Sequence, residues 1–313
     1  MALLNTIKQN RILKDLGFGN KDAQRGGRFI NKDGSFNVKR KGATFSTWFS
    51  IYHYLITISW LNFLFYVVCV YVALNLGFAV LYSWTGVEKL GGVVGETDVE
   101  KFLDAFFFSC QTFTTVGYGR INPVGITANF ISAFESLAGL LSFALATGLL
   151  YGRFSRPNVS IVYSKNAIIA PYNGITAFEF MLANGRSNQL INVEIQVALS
   201  RLEGQPGQET RKYYELELER SNIDFFPLSW IIVHPIDESS PLYGYTKEEM
   251  DKSDAEFLIL FKAFDDTFSQ TVNARTSYKY NELAWNVNFA SVFYRRADGV
   301  TVVELDKIGS FKK

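Results

Sequence analysis

Residues 114–119 read Thr-Thr-Val-Gly-Tyr-Gly, in which hydroxyl groups precede two glycines that flank a tyrosine. The segment carries no charge, so its chemistry is that of hydroxyl and main-chain carbonyl oxygens, which can replace the water around a cation. Gly117 and Gly119 tolerate backbone angles that other residues disfavour, and the carbonyl groups of residues 115–118 can therefore all face one axis. The motif predicts a stack of main-chain oxygens that holds a dehydrated cation.

A single chain supplies only one side of each oxygen ring. A ring that replaces a hydration shell needs identical chains around a symmetry axis, and the predicted assembly is a homotetramer. Val116 and Tyr118 are expected to turn away from this axis, with the Tyr118 ring against Phe107 or Phe108. The competing interpretation, a glycine-rich turn in a loop, does not explain an uncharged motif between two apolar stretches.

Long uncharged stretches flank the motif. No Asp, Glu, Lys or Arg occurs between Lys41 and Glu88, and this length exceeds the roughly 20 apolar residues that a bilayer-spanning helix needs. The stretch predicts one spanning helix over residues 55–84, preceded by an interfacial helix over residues 44–55. A second span is predicted over residues 125–154, so the chain is interpreted as a multi-pass membrane protein.

The segment between the spans, residues 98–113, is too short to cross a bilayer and return as a helix. We expect a re-entrant helix followed by an extended return, because non-helical backbone at membrane depth must line a cavity or be buried in protein. Basic residues precede the first span and close the second, whereas the loop over residues 88–101 is net acidic. This distribution predicts that both termini are cytoplasmic.

The chain divides into three predicted parts: a polar leader over residues 1–41, a membrane section over residues 42–157, and a polar remainder over residues 158–313. In the remainder, apolar and polar residues alternate, most clearly over residues 190–200, as is typical of β-strands. Several such runs, separated by turn residues, predict a β-sandwich. A short helix is expected within residues 245–257.

Composition excludes several function classes. The formal net charge of +1 gives no bulk basic surface for nucleic acid, and no nucleophile elbow or zinc-protease motif indicates an enzyme. The two histidines, His53 and His234, are not part of a metal-ligand cluster. Cys69 and Cys110 lie in apolar stretches, so buried free thiols are favoured over a disulfide. No cofactor is expected besides the permeant ion.

The chain resembles the inward-rectifier potassium channels, and more closely their prokaryotic members, over residues 28–310. Thr-Val-Gly-Tyr-Gly is the known filter sequence of potassium channels, so selectivity for K⁺ is implied by this resemblance and does not follow from the spacing. The pieces that carry the resemblance are RFINKDGSFNV (28–38), YHYLITISW (52–60), FFFSCQTFTTVGYG (106–119), YGRFSRP (151–157), NAIIAPYNG (166–174), HPIDESSPLYGYT (234–246) and ARTSYKYNELAW (274–285).

The resemblance implies a membrane α-helical pore domain with an interfacial slide helix near residues 44–53, followed by a cytoplasmic immunoglobulin-like β-sandwich domain. It implies a gate at the inner helix that involves Phe143 and Tyr151, and a second constriction near residues 263–273 of the cytoplasmic pore. The implied K⁺ ligands are the main-chain oxygens of Thr115, Val116, Gly117, Tyr118 and Gly119.

Departures from eukaryotic relatives add four expectations. Phe143 stands where many of them carry the acid that binds Mg²⁺ or polyamine, so weak block and weak rectification are expected. Gln111, a further candidate for filter support, replaces a glutamate that pairs with an arginine behind the filter, which leaves the role of Arg120 open. Glu135, the one acid in the second span, is interpreted either as filter support or cation attraction, or as a protonated, packed group.

The candidate contacts to anionic membrane lipids are Lys39, Arg40, Lys41, Arg153 and Arg156.

The expected location is the inner cell membrane. The alternative from another class is a membrane-tethered β-sandwich binding or scaffold protein, which explains the polar remainder but leaves the filter motif unexplained. A nucleotide-gated or calcium-gated two-span channel would need βαβ alternation and a glycine-rich phosphate turn after residue 157, and neither is found.

Overall fold

The computed structural model describes residues 12–13, 16–17, 27–39, 41, 47–155, 159–205 and 208–312, with residues 12–13 and 47–50 described by their backbone alone. The chain forms two compact units, a membrane unit over Gly42–Arg156 and a β unit that combines Met1–Lys41 with Pro157–Lys313. The polar leader therefore groups with the β unit and is not a separate part.

Within the described residues, the α-helices α1 to α5 span Thr47–Thr57, Trp60–Thr85, Asp98–Phe113, Gly125–Phe154 and Lys247–Lys252. Single turns of 3₁₀-helix lie at Val87–Lys89, Tyr280–Glu282 and Leu305–Lys307.

Helices α3 and α4 begin and end where the sequence predicts them. Helix α3 starts with a capping box, in which the Thr97 hydroxyl accepts from the Glu100 N–H and the Glu100 carboxylate accepts from the Thr97 N–H. Helix α5 falls inside residues 245–257, also as predicted.

The prediction of one span over residues 55–84 is wrong at its start. Helix α1 continues to Thr57, and a new helix, α2, begins at Trp60. The Ser59 hydroxyl accepts from the Asn62 N–H at 3.3 Å and so caps α2. The slide helix predicted from residue 44 is α1, which starts at Thr47 within the described residues.

Apolar side chains of the membrane unit pack in one cluster that includes Ala79, Ala105 and Phe108. Of the most apolar 18-residue stretch of each helix, only 17% is buried within the chain in α2 and only 11% in α4. A core helix of a soluble protein would be mostly buried, so the exposed apolar faces fit lipid or neighbouring subunits.

The strands β1 to β15 span Ile12–Leu13, Leu90–Gly91, Asn122–Pro123, Ile161–Tyr163, Ala167–Tyr172, Ile175–Asn184, Leu190–Glu203, Thr210–Glu215, Asn222–Phe225, Ser229–Ile236, Glu256–Asp265, Gln270–Lys279, Leu283–Trp285, Phe293–Arg295 and Thr301–Val303. One sheet of the β unit has the order β1-β8-β7-β11-β12, with β9 also paired to β7, and the other has the order β10-β6-β5-β13, with β4 paired to β6.

The two sheets bury one continuous core, as expected for a β-sandwich. The predicted alternation holds in β7 from Val193 to Leu199, whose odd-numbered residues are buried. It shifts near the strand start, because Asn192 has a φ of +49° and the register with β11 slips there. This bulge buries Leu190 in place of Ile191.

The segment 27–38 docks on the β unit through a buried carboxylate. Glu256, which has no exposed surface, accepts from the main-chain N–H of Phe29 at 3.1 Å and of Ile30 at 3.4 Å. The Arg28 guanidinium lies 2.5 Å from the Glu282 carboxylate. The leader is thus held by specific hydrogen bonds to the sheet.

Candidate functional site

The backbone of residues 114–119 has an alternating hand. The dihedral φ is +58° at Thr115, +51° at Gly117 and +82° at Gly119, while Val116 and Tyr118 keep negative values. Alternation of this kind points successive N–H groups to one side and carbonyls to the other. A left-handed threonine is rare because its side chain is β-branched, and such strain clusters at functional sites.

The segment is anchored to the end of α3 by its own backbone. The N–H groups of Val116 and Gly117 donate to the Gln111 carbonyl oxygen at 2.9 and 3.2 Å. Gln111 therefore supports the segment through its main chain. A Cβ atom added at Gly117 or Gly119 would meet nothing within 4 Å in this chain, so glycine is required there by the backbone angle.

The Tyr118 side chain points away from the rest of the subunit, since it is 79% exposed. Within the described residues of one chain, the rings of Phe107 and Phe108 pack on other aromatic side chains, and their packing against Tyr118 stays a prediction. The Phe108 ring packs on Tyr82 at 5.2 Å, and the Phe107 ring packs on Phe106 at 5.6 Å. Phe108 therefore faces inward against α2, whereas Phe107 is 55% exposed.

Helix α4 passes close behind the end of α3. A Cβ atom added at Gly139 would lie 2.0 Å from the Phe113 carbonyl oxygen, so only glycine permits this approach. The Phe113 ring packs edge-on to Tyr71 of α2 at 5.9 Å. The start of the segment 114–119 therefore lies clamped between α2 and α4.

A polar network is buried behind the same segment. The Glu135 carboxyl of α4 is fully buried, accepts from the Tyr82 hydroxyl at 2.7 Å and is hydrogen-bonded to the Ser109 hydroxyl. Ser109 also lies 3.0 Å from the Asn75 side-chain oxygen. The predicted filter-support residue thus joins α2, α3 and α4.

At the other end of the segment, Arg120 has a partner that sequence reasoning missed. Its guanidinium lies 2.9 Å from the Asp104 carboxylate of α3, and Asp104 also accepts from the N–H groups of Val94 and Gly95 at 3.1 Å. This pair ties the end of the segment 114–119 to α3 and to the loop before it. The sequence alone offered no signal, because Asp104 and Arg120 are 16 residues apart.

The two predicted gate residues point away from the rest of the subunit. Phe143 is 73% exposed and Tyr151 is 74% exposed, as large apolar side chains on a pore-facing or lipid-facing surface would be. Eight residues apart on α4, they share one broad helical face. The predicted cytoplasmic constriction, residues 263–273, forms the hairpin that joins β11 and β12.

Among the predicted lipid contacts, Arg153 has a structural role. Its guanidinium donates to the carbonyl oxygens of Leu55 at 2.5 Å and Ile58 at 2.7 Å, where it caps the last turn of α1. It also lies 4.6 Å from the centre of the Trp60 ring. Lys39 and Lys41 are exposed, whereas Arg40 and Arg156 lie outside the described residues.

The cysteines and His234 form no metal-ligand cluster within the described residues. Cys69 and Cys110 are free thiols, as predicted, but Cys69 is exposed and Cys110 is half-buried in the single chain, so the prediction that both are buried is wrong. His234 is buried and hydrogen-bonded to the Glu217 carbonyl at 2.6 Å and the Ser240 hydroxyl at 2.8 Å. Among the residues that the structure describes, no group of three or more His, Cys, Asp or Glu is arranged to hold a metal ion.

Comparisons with known proteins match both units. Residues 161–313 match the family model described as inward rectifier potassium channel C-terminal domain, and residues 70–156 match the model described as ion channel. The chain is 38% identical over 291 residues to the inward rectifier potassium channel Kirbac3.1 of Paramagnetospirillum magnetotacticum, covering 92% of this chain and 97% of the relative. It is 26% identical over 317 residues to the ATP-sensitive inward rectifier potassium channel 8 of Homo sapiens, covering 91% and 74%.

Proposed function

The chain belongs to the inward rectifier potassium channel family, and from this premise we propose that it conducts K⁺ passively through a filter built by residues 115–119. It is a membrane-integral channel subunit and not an enzyme. The observation that carries the proposal is the alternating backbone hand of residues 115–119, held between the pore helix α3 and the inner helix α4.

Conduction would proceed by exchange of ligands. Four subunits arranged around one axis would present rings of carbonyl oxygens that take the place of the hydration shell of K⁺. The C-terminal end of α3, which carries a partial negative charge, would lower the energy of a cation in the cavity near it. The protein residues contribute fixed dipoles, so no chemical bond is made or broken.

Closing the pore would require an apolar constriction. Rings of Phe143 and Tyr151 from four subunits can exclude water and so stop ions. By resemblance, the hairpin at residues 263–273 contributes a second constriction in the cytoplasmic part of the pore. Since Phe143 carries no charge, we propose weak rectification and weak block by Mg²⁺ or polyamine at this level.

Lipid sensitivity is proposed for the exposed basic residues before α1. Lys39 and Lys41 carry charge that attracts anionic headgroups, with about 1 kcal/mol for each residue near the surface. Arg153 is left out of this proposal, because its guanidinium already caps α1. We propose that both termini are cytoplasmic and that the membrane is the inner cell membrane, because basic residues flank the two spans.

Reversal potentials in planar bilayers test the proposal. With K⁺ on one side and Na⁺ on the other, the purified protein should reverse near the K⁺ equilibrium potential, and Ba²⁺ should block the current. Gly117→Ala should abolish the selectivity or the current, because alanine disfavours a φ of +51°.

The matched control is Gly77→Ala, at an exposed position of α2 where an added Cβ meets nothing within 4 Å. This variant should conduct as the unmodified channel does. Equal passage of Na⁺ and K⁺ by the unmodified protein would contradict the proposal, and complete absence of ion flux would favour the scaffold alternative.

A further inference from the structure

A chain of hydrogen bonds runs behind the filter through three helices. Tyr82 and Asn75 of α2, Ser109 of α3 and Glu135 of α4 are each 1% exposed or less. The Tyr82 hydroxyl donates to one oxygen of Glu135, and the other oxygen of Glu135 contacts the Ser109 hydroxyl. Ser109 reaches the Asn75 side-chain oxygen, and the Asn75 amide donates to the Tyr71 carbonyl at 2.8 Å.

Counting protons shows that this chain lacks one donor if Glu135 is ionised. A serine hydroxyl carries one proton, yet Ser109 faces two acceptors, the Glu135 carboxyl and the Asn75 side-chain oxygen. A proton on the Glu135 oxygen that faces Ser109 removes the conflict. Glu135 then donates to Ser109, and Ser109 donates to Asn75, so every buried polar group has its partner.

Charge balance leads to the same assignment. Helix α2 contains no Asp, Glu, Lys or Arg, and the one cation of α4 is Arg153. The one cation of α3 is Lys101, which precedes Ser109 by eight residues, about 12 Å along the helix. Arg153 lies 18 residues beyond Glu135 in sequence, which is about 27 Å along a helix. An ionised Glu135 would be a buried charge without a counterion in these helices, and such a group is strongly disfavoured.

We infer that Glu135 is a neutral carboxylic acid that acts as a positioning residue, passing hydrogen bonds from Tyr82 to Ser109 and thereby holding the last turn of α3 behind the filter. Ser109 precedes Phe113, the last residue of α3, by one helical turn. Movement of this turn would displace the Gln111 carbonyl that anchors Val116 and Gly117. This inference rests on the proposed function, in that the positioned element is the potassium filter.

The proton and the hydrogen bonds are tested by different variants. Glu135→Gln removes any charge but keeps an acceptor for Tyr82 and a donor for Ser109, so the ratio of K⁺ to Na⁺ permeability should stay within about threefold of the unmodified value. Glu135→Leu removes both bonds, and the ratio should fall by about tenfold or more. In Ser109→Ala, the ratio of K⁺ to Na⁺ permeability should also fall. The matched control is Ser83→Ala on α2, whose hydroxyl donates only within its own helix to Ala79.

A second readout does not depend on ion flux. Solid-state nuclear magnetic resonance of the full-length protein in bilayers, with isotope-labelled glutamate, reports the carboxyl carbon shift of each side chain. The signal that disappears in Glu135→Gln should have the shift of a protonated acid at neutral pH. An ionised shift for that signal, or a loss of conductance in Glu135→Gln as large as in Glu135→Leu, would overturn the inference.

The two readouts separate this inference from the proposed function. If the unmodified protein carries no selective current while Glu135 is protonated, the proposed function fails and the assignment of the proton stands. If the current is selective and Glu135 is ionised, the channel stands and the hydrogen-bond relay is wrong.

Discussion

The membrane unit and the β unit bury acidic side chains in opposite ways. In the membrane unit, Glu135 meets hydroxyl groups and no cation. In the β unit, Asp254 lies 2.8 Å from Arg211, whose side chain is 1% exposed, and 2.9 Å from Lys279. A buried acid is therefore ionised where the fold supplies cations, and we infer that it is neutral where the fold supplies only hydroxyls.

A third arrangement in the β unit uses the backbone. Glu256 accepts from the N–H groups of Phe29 and Ile30. Burial raises the pKa of Glu256, while the Ser277 hydroxyl, these N–H groups and Arg28 act to lower it. The difference between the units suggests that one substitution, acid to amide, should have effects of very different size at each site.

The largest effect is expected for Asp254→Asn. This change removes the charge that balances Arg211 and Lys279, and leaving buried cations unpaired costs about 3–5 kcal/mol. The free energy of unfolding of the β unit can be measured in the full-length protein by hydrogen exchange of β7 and β11 with increasing denaturant. Asp298→Asn, in a pair that is about half exposed on both sides, should change it by less than about 1 kcal/mol. Equal losses in both variants would show that the buried cations do not depend on the charge of Asp254.

The second effect depends on pH. Burial alone would raise the pKa of Glu203, but hydrogen bonds from Tyr214, Lys212 and Arg201 outweigh it and hold the pKa at about 2. The folded pKa is below the ordinary value of 4.5, so this stabilisation is present above pH 4.5 and is lost as the pH falls toward 2.

After allowance for the partial exposure of Glu203, the pH-dependent loss amounts to about 2 kcal/mol. Unfolding of the full-length protein as a function of pH should show this slope, and Glu203→Gln should flatten it. A slope that survives Glu203→Gln would assign the acid sensitivity to another group. Glu135→Gln should leave the slope unchanged.

A smaller effect is expected for Glu256→Gln. The side-chain nitrogen of the new Gln would point its own N–H donors toward the N–H groups of Phe29 and Ile30. This poorer pairing should lower the stability of the docked leader by about 1–3 kcal/mol. Hydrogen exchange of these two amides should accelerate by about tenfold or more, whereas the amides of β7 should be unaffected. Unchanged protection of Phe29 and Ile30 would show that Glu256 does not hold the leader on the sheet.

The smallest effect is expected for Glu135→Gln. Because Gln supplies the same acceptor and donor, only its second N–H is new, and the change in stability of the proposed tetramer should stay below about 1 kcal/mol. Thermal dissociation of the oligomer in detergent measures this change. A loss as large as that of Asp254→Asn would mean that Glu135 is charged, and the contrast between the units would disappear.

Much of the fold could be predicted from the sequence. The bounds of α4 follow from its long apolar stretch, and the start of α3 follows from the capping residues Thr97 and Glu100. Strand β10 matches the apolar run over residues 229–236. The break between α1 and α2 had a signal, Ser59 as an N-cap, but the continuous apolar stretch conceals it. The bulge at Asn192 had none, because it depends on the register of β11.

Residues 115–119 of the candidate site could be proposed from the sequence, whereas most of the side chains that support them could not. Residues 115–119 can be recognised from the motif alone, and an isolated glycine such as Gly139 inside a helix signals a close approach. The partner of Arg120 could not be predicted, because Asp104 reaches it only through the loop geometry of Val94 and Gly95. The protonation of Glu135 depends on a count of donors across three helices, which no local pattern contains.

The central claim is that main-chain oxygens of residues 115–118 hold a dehydrated cation on a fourfold axis. Anomalous scattering from crystals grown with Rb⁺ or Tl⁺ in place of K⁺ tests it most directly. We expect discrete peaks on the axis between successive carbonyl rings, lost in Gly117→Ala. A well-ordered filter segment with no cation peak on the axis, or an assembly without fourfold symmetry, would contradict the account.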